Sequence, residues 1–189
     1  MNSDWKLIEG GITAPRGYRA ACVLAGIKPS RKRPDLALIV SDVPAVAAGV
    51  FTTNRVKAAP VRLCQRHIAA RQAQAIIVNA GNANACTGAQ GMADAENTAS
   101  LVAEMLCLPR EMVLVCSTGT IGVPMPMPAI EAALPRLISS LNPQGGRDAA
   151  IAILTTDTVD KQIALALTCG GKTVALSGMA KGSGMIAPH

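Results

Sequence analysis

Apolar residues fall along this chain in short, β-branched blocks separated by Gly, Asn, Thr and Pro, a spacing that predicts strands alternating with helices. Leu36–Ser41 (LALIVS), Ala75–Asn79 (AIIVN) and Met112–Cys116 (MVLVC) read as buried strands, and Ala45–Thr53 is a softer run of the same kind. Asp94–Leu108 places Leu101, Met105 and Leu108 on one helical face and stops at Pro109. Pro128–Ser140 and Arg147–Leu154 are expected to be helical, with Pro135 bending or shortening the first. Gln162–Thr168 and Lys172–Ser177 alternate in polarity around Cys169-Gly170-Gly171, a hairpin signal. Strands and helices early, then a hairpin, predict a mixed α/β sheet in a single unit spanning residues 1–189.

Composition narrows this picture. Half of the 189 residues are apolar and 16% are charged, enough for a buried core and too apolar for general disorder. Trp5, Tyr18 and Phe51 are the only aromatics, so the core is aliphatic and stacking platforms for single-stranded nucleic acid are missing. The net charge of +6 suits an acidic substrate, an acidic partner chain or nucleic acid. Basic residues are scattered outside Lys28–Arg33 (KPSRKR), which disfavours nucleic acid. The six cysteines lie far apart with no C-x-x-C pair, and a zinc site is not expected. Most sit in apolar runs such as Val113–Cys116, where a reduced, buried thiol acts as a small hydrophobe, and a reducing cytoplasmic setting is expected. The N-terminus is too polar for a signal peptide. The uncharged stretches Gln72–Ala93 and Met112–Ile130 are broken by Asn, Gly and Pro and do not read as membrane spans.

Three segments could carry chemistry. Asn79–Gly88 (NAGNANACTG) follows a strand, and its asparagines suit a structural turn before direct ligand contact. Cys116–Gly122 (CSTGTIG) presents hydroxyls and backbone N–H groups at a strand end, the donors an oxyanion hole or anion site requires. Thr155–Thr158 (TTDT) and Gly178–Gly184 (GMAKGSG) together offer hydroxyls and a lysine flanked by glycines, which lets a carboxylate or phosphate come close. P-loop and dinucleotide-binding spacings are absent, as are a His-paired Ser or Cys and paired acids, so a nucleophile with its base is not legible. Gly178–His189 is apolar with no polar tail, which reads either as a folded unit cut in its middle or as a terminus packed back on the core.

The blocks GGITAP (Gly10–Pro15), Asp35–Thr53 continued by Asn54–Pro60, NAGNANACTG, STGTIG, TTDT and GMAKGSGMIAP run in order across nearly the whole chain, and their combination resembles the ornithine acetyltransferase family. The resemblance implies a glutamate N-acetyltransferase of arginine biosynthesis that moves acetyl from N-acetylornithine to glutamate without a cofactor. It leaves open acetyl-coenzyme A as a further donor. It also implies a precursor that cuts itself before a threonine, this chain being the α half of a mixed-sheet sandwich completed by the β chain, in an (αβ)₂ heterotetramer. The threonine that begins β would be the nucleophile, its own α-amine serving as base. By the same resemblance Thr118 (hydroxyl) and Gly119 (backbone N–H) form the oxyanion hole, and Thr155 and Lys181 bind substrate. The family pattern is broken at Thr120, Asp160 and His189, the last beside the scission point. Competing readings are a non-catalytic anion-binding subunit of an α/β complex and a related self-cleaving aminopeptidase.

Overall fold

The computed structural model describes residues 5–184. In chain order the elements are β1 (Trp5–Leu7), β2 (Tyr18–Val23), β3 (Leu36–Val46), α1 (Ala59–His67), β4 (Gln72–Asn82), α2 (Gly88–Leu106), β5 (Val113–Thr120), α3 (Met127–Ser139), α4 (Gly146–Ala152), β6 (Lys161–Cys169) and β7 (Lys172–Ala180). The main sheet has the order β2-β3-β4-β5. β2, β3 and β4 pair antiparallel, whereas β4 and β5 are parallel and joined through α2. The late hairpin does not extend this sheet: β6 and β7 pair with β1 in a second, three-stranded antiparallel sheet. Its turn is the expected glycine pair, with φ of +56° at Gly170 and +74° at Gly171, as a tight primed hairpin turn demands.

Period-2 alternation sends the two faces of β3 into different cores. Leu36, Leu38 and Val40 join Ala75, Ile77, Val113 and Val115 beneath Leu63, Val102, Ile130, Leu134 and Leu137 of the first three helices. Ala37 and Ile39 point the other way, onto Ala149, Ala152 and Ile153. This core is almost wholly aliphatic, so stability rests on many small apolar burials, each about 0.8 kcal/mol per methylene.

Several local expectations change. α2 starts at Gly88, ahead of Asp94, and buries Ala95, Ala99, Val102 and Ala103; of the expected Leu101–Met105–Leu108 face, Leu101 and Leu108 pack half-buried against the core, whereas Met105 is 41% exposed. Small alanines let the helix approach the sheet closely, and that contact decides which face turns inward. Pro135 sits within α3 without ending it: its ring lies on the solvent side while Leu134 and Leu137 are buried on either side. Ala45–Thr53 remains a strand only to Val46. α1 and β2 carry no sequence signal read in advance. The thiols divide: Cys64 is buried and Cys22 half-buried, but Cys86, Cys107, Cys116 and Cys169 are exposed, and of these Cys86, Cys107 and Cys169 lie at turns or element ends. Burial, with Asp148 adding, raises the Cys22 thiol to about 11. No helix among the described residues is long and apolar enough to cross a membrane.

Candidate functional site

Parallel β4 and β5 end side by side, Ala80 beside Thr118 and Gly81 beside Gly119. The carboxyl ends of parallel strands in an open sheet are where ligands commonly bind, because both chains must turn away and leave a crevice. Here the crevice is a cavity of about 890 Å³, lined among others by Thr118, Gly119, Thr155 and Lys181. All four residues to which the resemblance points therefore meet at one place.

Three elements far apart in sequence position these groups. Thr118 Oγ1 comes from the end of β5, Thr155 Oγ1 from the loop after α4, and Lys181 from the residue after β7. The Lys181 ammonium donates to Thr118 Oγ1 at 2.9 Å and to Thr155 Oγ1 at 3.0 Å. No carboxylate pairs with it among the described residues, so its charge remains available to an anion entering the cavity. Gly119 has φ of +139°, and a Cβ there would overlap the backbone of Gly81 and Asn82. The position requires glycine on both counts.

Asp157 organises the cation side. Its side chain is fully covered; Oδ1 accepts from Lys161 Nζ at 2.7 Å and from the Gly182 amide at 2.6 Å, and Oδ2 accepts from the Thr155 amide at 3.3 Å. The hydrogen bond from Lys161, followed by the Gly182 amide, holds this carboxyl well below the usual carboxylate range. One acid thus ties the Thr155 backbone to the residue after Lys181.

The basic segment proves to be a clamp. Arg31 donates to the carbonyls of Ala152 (2.9 Å), Leu154 (2.6 Å) and Pro34 (2.8 Å), and Arg33 donates to the Thr155 carbonyl at 3.0 Å. These arginines satisfy carbonyls at the end of α4 that the helix leaves unpaired. The buried Asp35 carboxylate holds the start of the same loop, accepting from Ala25 N at 2.7 Å and Ile27 N at 2.8 Å.

The asparagine loop is scaffolding. Asn79 Nδ2 donates to Asn82 O at 2.8 Å, Asn82 Nδ2 to Pro124 O at 3.0 Å, and Asn84 Nδ2 to Gly91 O at 2.8 Å. All three are buried. They brace the turn beneath Gly119 instead of pointing into the cavity. His67 is likewise structural, buried with Nδ1 2.8 Å from Val113 O. Of the departures from the family pattern, Thr120 lines the cavity, Asp160 accepts from Gln162 Nε2 at 2.8 Å, and His189 lies outside the described residues.

Asp157, Asp35, Arg31 and Arg33 were not singled out as site-building residues in the sequence. The acid of TTDT carried no local signal for this role, since an Asp turn bond runs to the backbone two residues ahead, whereas Asp157 accepts from Thr155 behind it. Nothing local marks the arginines as holding the segment from Ala152 to Thr155, which lies more than a hundred residues away.

In this mixed α/β protein a hydroxyl-rimmed cation sits at the ends of two parallel strands, an arrangement with the chemistry to hold an anionic or carbonyl group. Residues 19–189 match the ArgJ family, to which the chain belongs. It is 55% identical over 188 residues to arginine biosynthesis bifunctional protein ArgJ 1 of Nostoc sp., covering 99% of this chain and 45% of that protein. It is also 55% identical over 187 residues to the ArgJ protein of Thermosynechococcus vestitus, covering 98% of this chain and 44% of that protein. The chain thus spans about half the length of the curated relatives it matches. Among solved structures, arginine biosynthesis bifunctional protein ArgJ from Bacillus halodurans superposes with a TM-score of 0.93 at 41% identity, covering 100% of this chain and 99% of that one. Ornithine acetyltransferase from Mycobacterium tuberculosis, complexed with ornithine, superposes with a TM-score of 0.91 at 44% identity, covering 98% of both chains.

Proposed function

We propose that this chain is one half of an acyltransferase that moves acetyl from N-acetylornithine to glutamate, acting in the cytoplasm with a β chain cut from the same precursor. The observation that carries the reading is the Lys181 ammonium held between Thr118 and Thr155 hydroxyls beside Gly119. In this reading the α-carboxylate common to both amino acids pairs with Lys181 and hydrogen-bonds Thr155. The acetyl carbonyl then faces Thr118 Oγ1 and the Gly119 N–H, which stabilise the oxyanion as it forms. The N-terminal threonine of β attacks that carbonyl, its α-amine taking the hydroxyl proton; collapse expels ornithine and leaves acetyl-threonine. Glutamate then occupies the same subsite and its amine accepts the acetyl group, a ping-pong cycle. The same cradle serves the earlier cut, in which the threonine hydroxyl attacks the preceding carbonyl, giving an ester that water hydrolyses.

Two further observations support a second chain. The curated relatives continue to about twice this length, whereas the chains seen in the crystal structures are matched almost end to end. The three-stranded sheet also carries an apolar face in rows, Trp5 beside Leu167 and Val174, and Leu7 beside Leu165 and Leu176. Leu7 is 67% and Leu176 59% exposed, and a face of this kind is what a partner covers. We place residues 1–189 in one unit, paired as (αβ)₂. Mass spectrometry of the intact preparation should find a companion chain beginning with threonine, and the mixture should transfer acetyl from N-acetylornithine to glutamate. Full transfer by this chain alone refutes the shared site.

A further inference from the structure

Among the described residues the cavity lining includes Lys28, Arg31, Arg33 and Lys181 and no acidic residue. Three of these cations already have partners: Arg31 and Arg33 hold backbone carbonyls, and Lys181 holds two hydroxyls. Lys28 makes no side-chain hydrogen bond or ion pair among the described residues. Its backbone is nevertheless fixed. Ile27, just before it, is buried with its amide on Asp35 Oδ2 at 2.8 Å, and the Lys28 carbonyl accepts from Arg31 N at 2.8 Å. The strand beside it is held to the same anchor, Ala80 N donating to Asp35 O at 2.8 Å.

Glycine at position 81 brings this lysine close to the reaction centre. Gly81 has φ of +126°, and a Cβ there would lie 3.0 Å from Lys28 Cβ. Gly81 is also the β-partner of Gly119. Lys28 thus starts one strand away from Gly119, with a flexible four-carbon stem leading into the cavity.

We infer that Lys28 receives the side-chain carboxylate of the acceptor, making it a specificity residue for a dicarboxylic amino acid. The inference rests on the acetyltransfer reading above, in which donor and acceptor share their α-amino-acid part and differ at the far end. Glutamate carries a negative charge there and ornithine a positive one. A second cation lining the cavity beside Lys181 attracts the first and repels the second, so it favours ornithine departure from the acetyl-enzyme and glutamate entry. It also weakens N-acetylornithine binding, a cost that a mobile ammonium limits by swinging into solvent.

The test uses α together with β, with glutamine as the neutral isostere of glutamate. In Lys28→Met the kcat/KM preference for glutamate over glutamine should fall about tenfold or more, the loss expected for one charge-assisted contact. KM for N-acetylornithine should stay level or drop, and Lys28→Arg should keep most of the preference. An unchanged glutamate-to-glutamine ratio in Lys28→Met, or equal rises in both KM values, overturns the inference while leaving the acetyltransfer reading intact. Absence of transfer in the unmodified enzyme overturns both. If the Met variant does not fold, Lys28→Gln provides the same comparison.

Discussion

The Asp157 carboxylate accepts the Gly182 amide at 2.6 Å, so a covered acid in one loop fixes the backbone next to the cavity's central cation in another. Replacing Asp157 with Ala frees both Gly182 and Lys161 and should raise KM for both amino acids about tenfold with a smaller change in kcat, as expected when a binding group loses its aim. Asp157→Asn keeps an oxygen for the Gly182 amide and should recover part of the loss. Equal falls in kcat for both variants with unchanged KM would contradict a positioning role.

The same acid predicts a pH dependence. Its folded pKa lies below the unfolded value of about 4, so the unfolded chain takes up the proton first as pH drops. The stability from Asp157 is therefore complete above about pH 4 and is lost as pH falls through the folded value. Urea midpoints of the parent and Asp157→Asn should differ at pH 7 and converge in acid. A gap that stays constant to pH 3 would show that the charge is irrelevant.

Gly119→Ala should slow both self-cleavage of the precursor and acetyl transfer. The added methyl overlaps Gly81 and Asn82, which displaces the amide assigned to the oxyanion. One such donor is worth about 3–4 kcal/mol, or about 10²–10³ in rate. Cleavage followed on gels and kcat from a transfer assay report the two steps; parental rates in both would remove the assignment.

Two arginines separate anchoring from decoration. Arg31→Met leaves the carbonyls of Ala152 and Pro34 without their side-chain donor and that of Leu154 with only a 3.4 Å bond from Arg33, and should cost about 1–3 kcal/mol of stability. Arg19→Met breaks only an exposed ion pair with Asp42 and should cost less than about 1 kcal/mol. Denaturant midpoints that fall equally for both would refute the clamp.

Much of the architecture was legible because short apolar blocks declare strands by themselves. β3, β4 and β5 needed only their short β-branched apolar runs, and the β6–β7 hairpin only period 2 and the Gly170-Gly171 turn. α2 shows the limit: its periodicity identified a helix, and Leu101 and Leu108 do pack on the core, but Met105 does not and the buried alanines carried no signal, since alanine packing against a sheet has no strong hydropathic signature. The site divides in the same way. Thr118 and Gly119 stood out as a strand-end motif and Lys181 by its flanking glycines. Arg31 stood out only as a member of the Lys28–Arg33 basic run, because most of the carbonyls it serves come from a helix end far along the chain.

By itself, the sequence determined the α/β class, the aliphatic core and a set of Gly-, Thr- and Lys-bearing motifs, each a local property of residue type and spacing. Tertiary structure alone decided that Thr118, Thr155 and Lys181 share one cavity, that the hairpin forms its own sheet, and that Asp157 and Arg31 hold the pieces in place. These outcomes depend on which distant backbone groups come within hydrogen-bond range, and no local pattern encodes that.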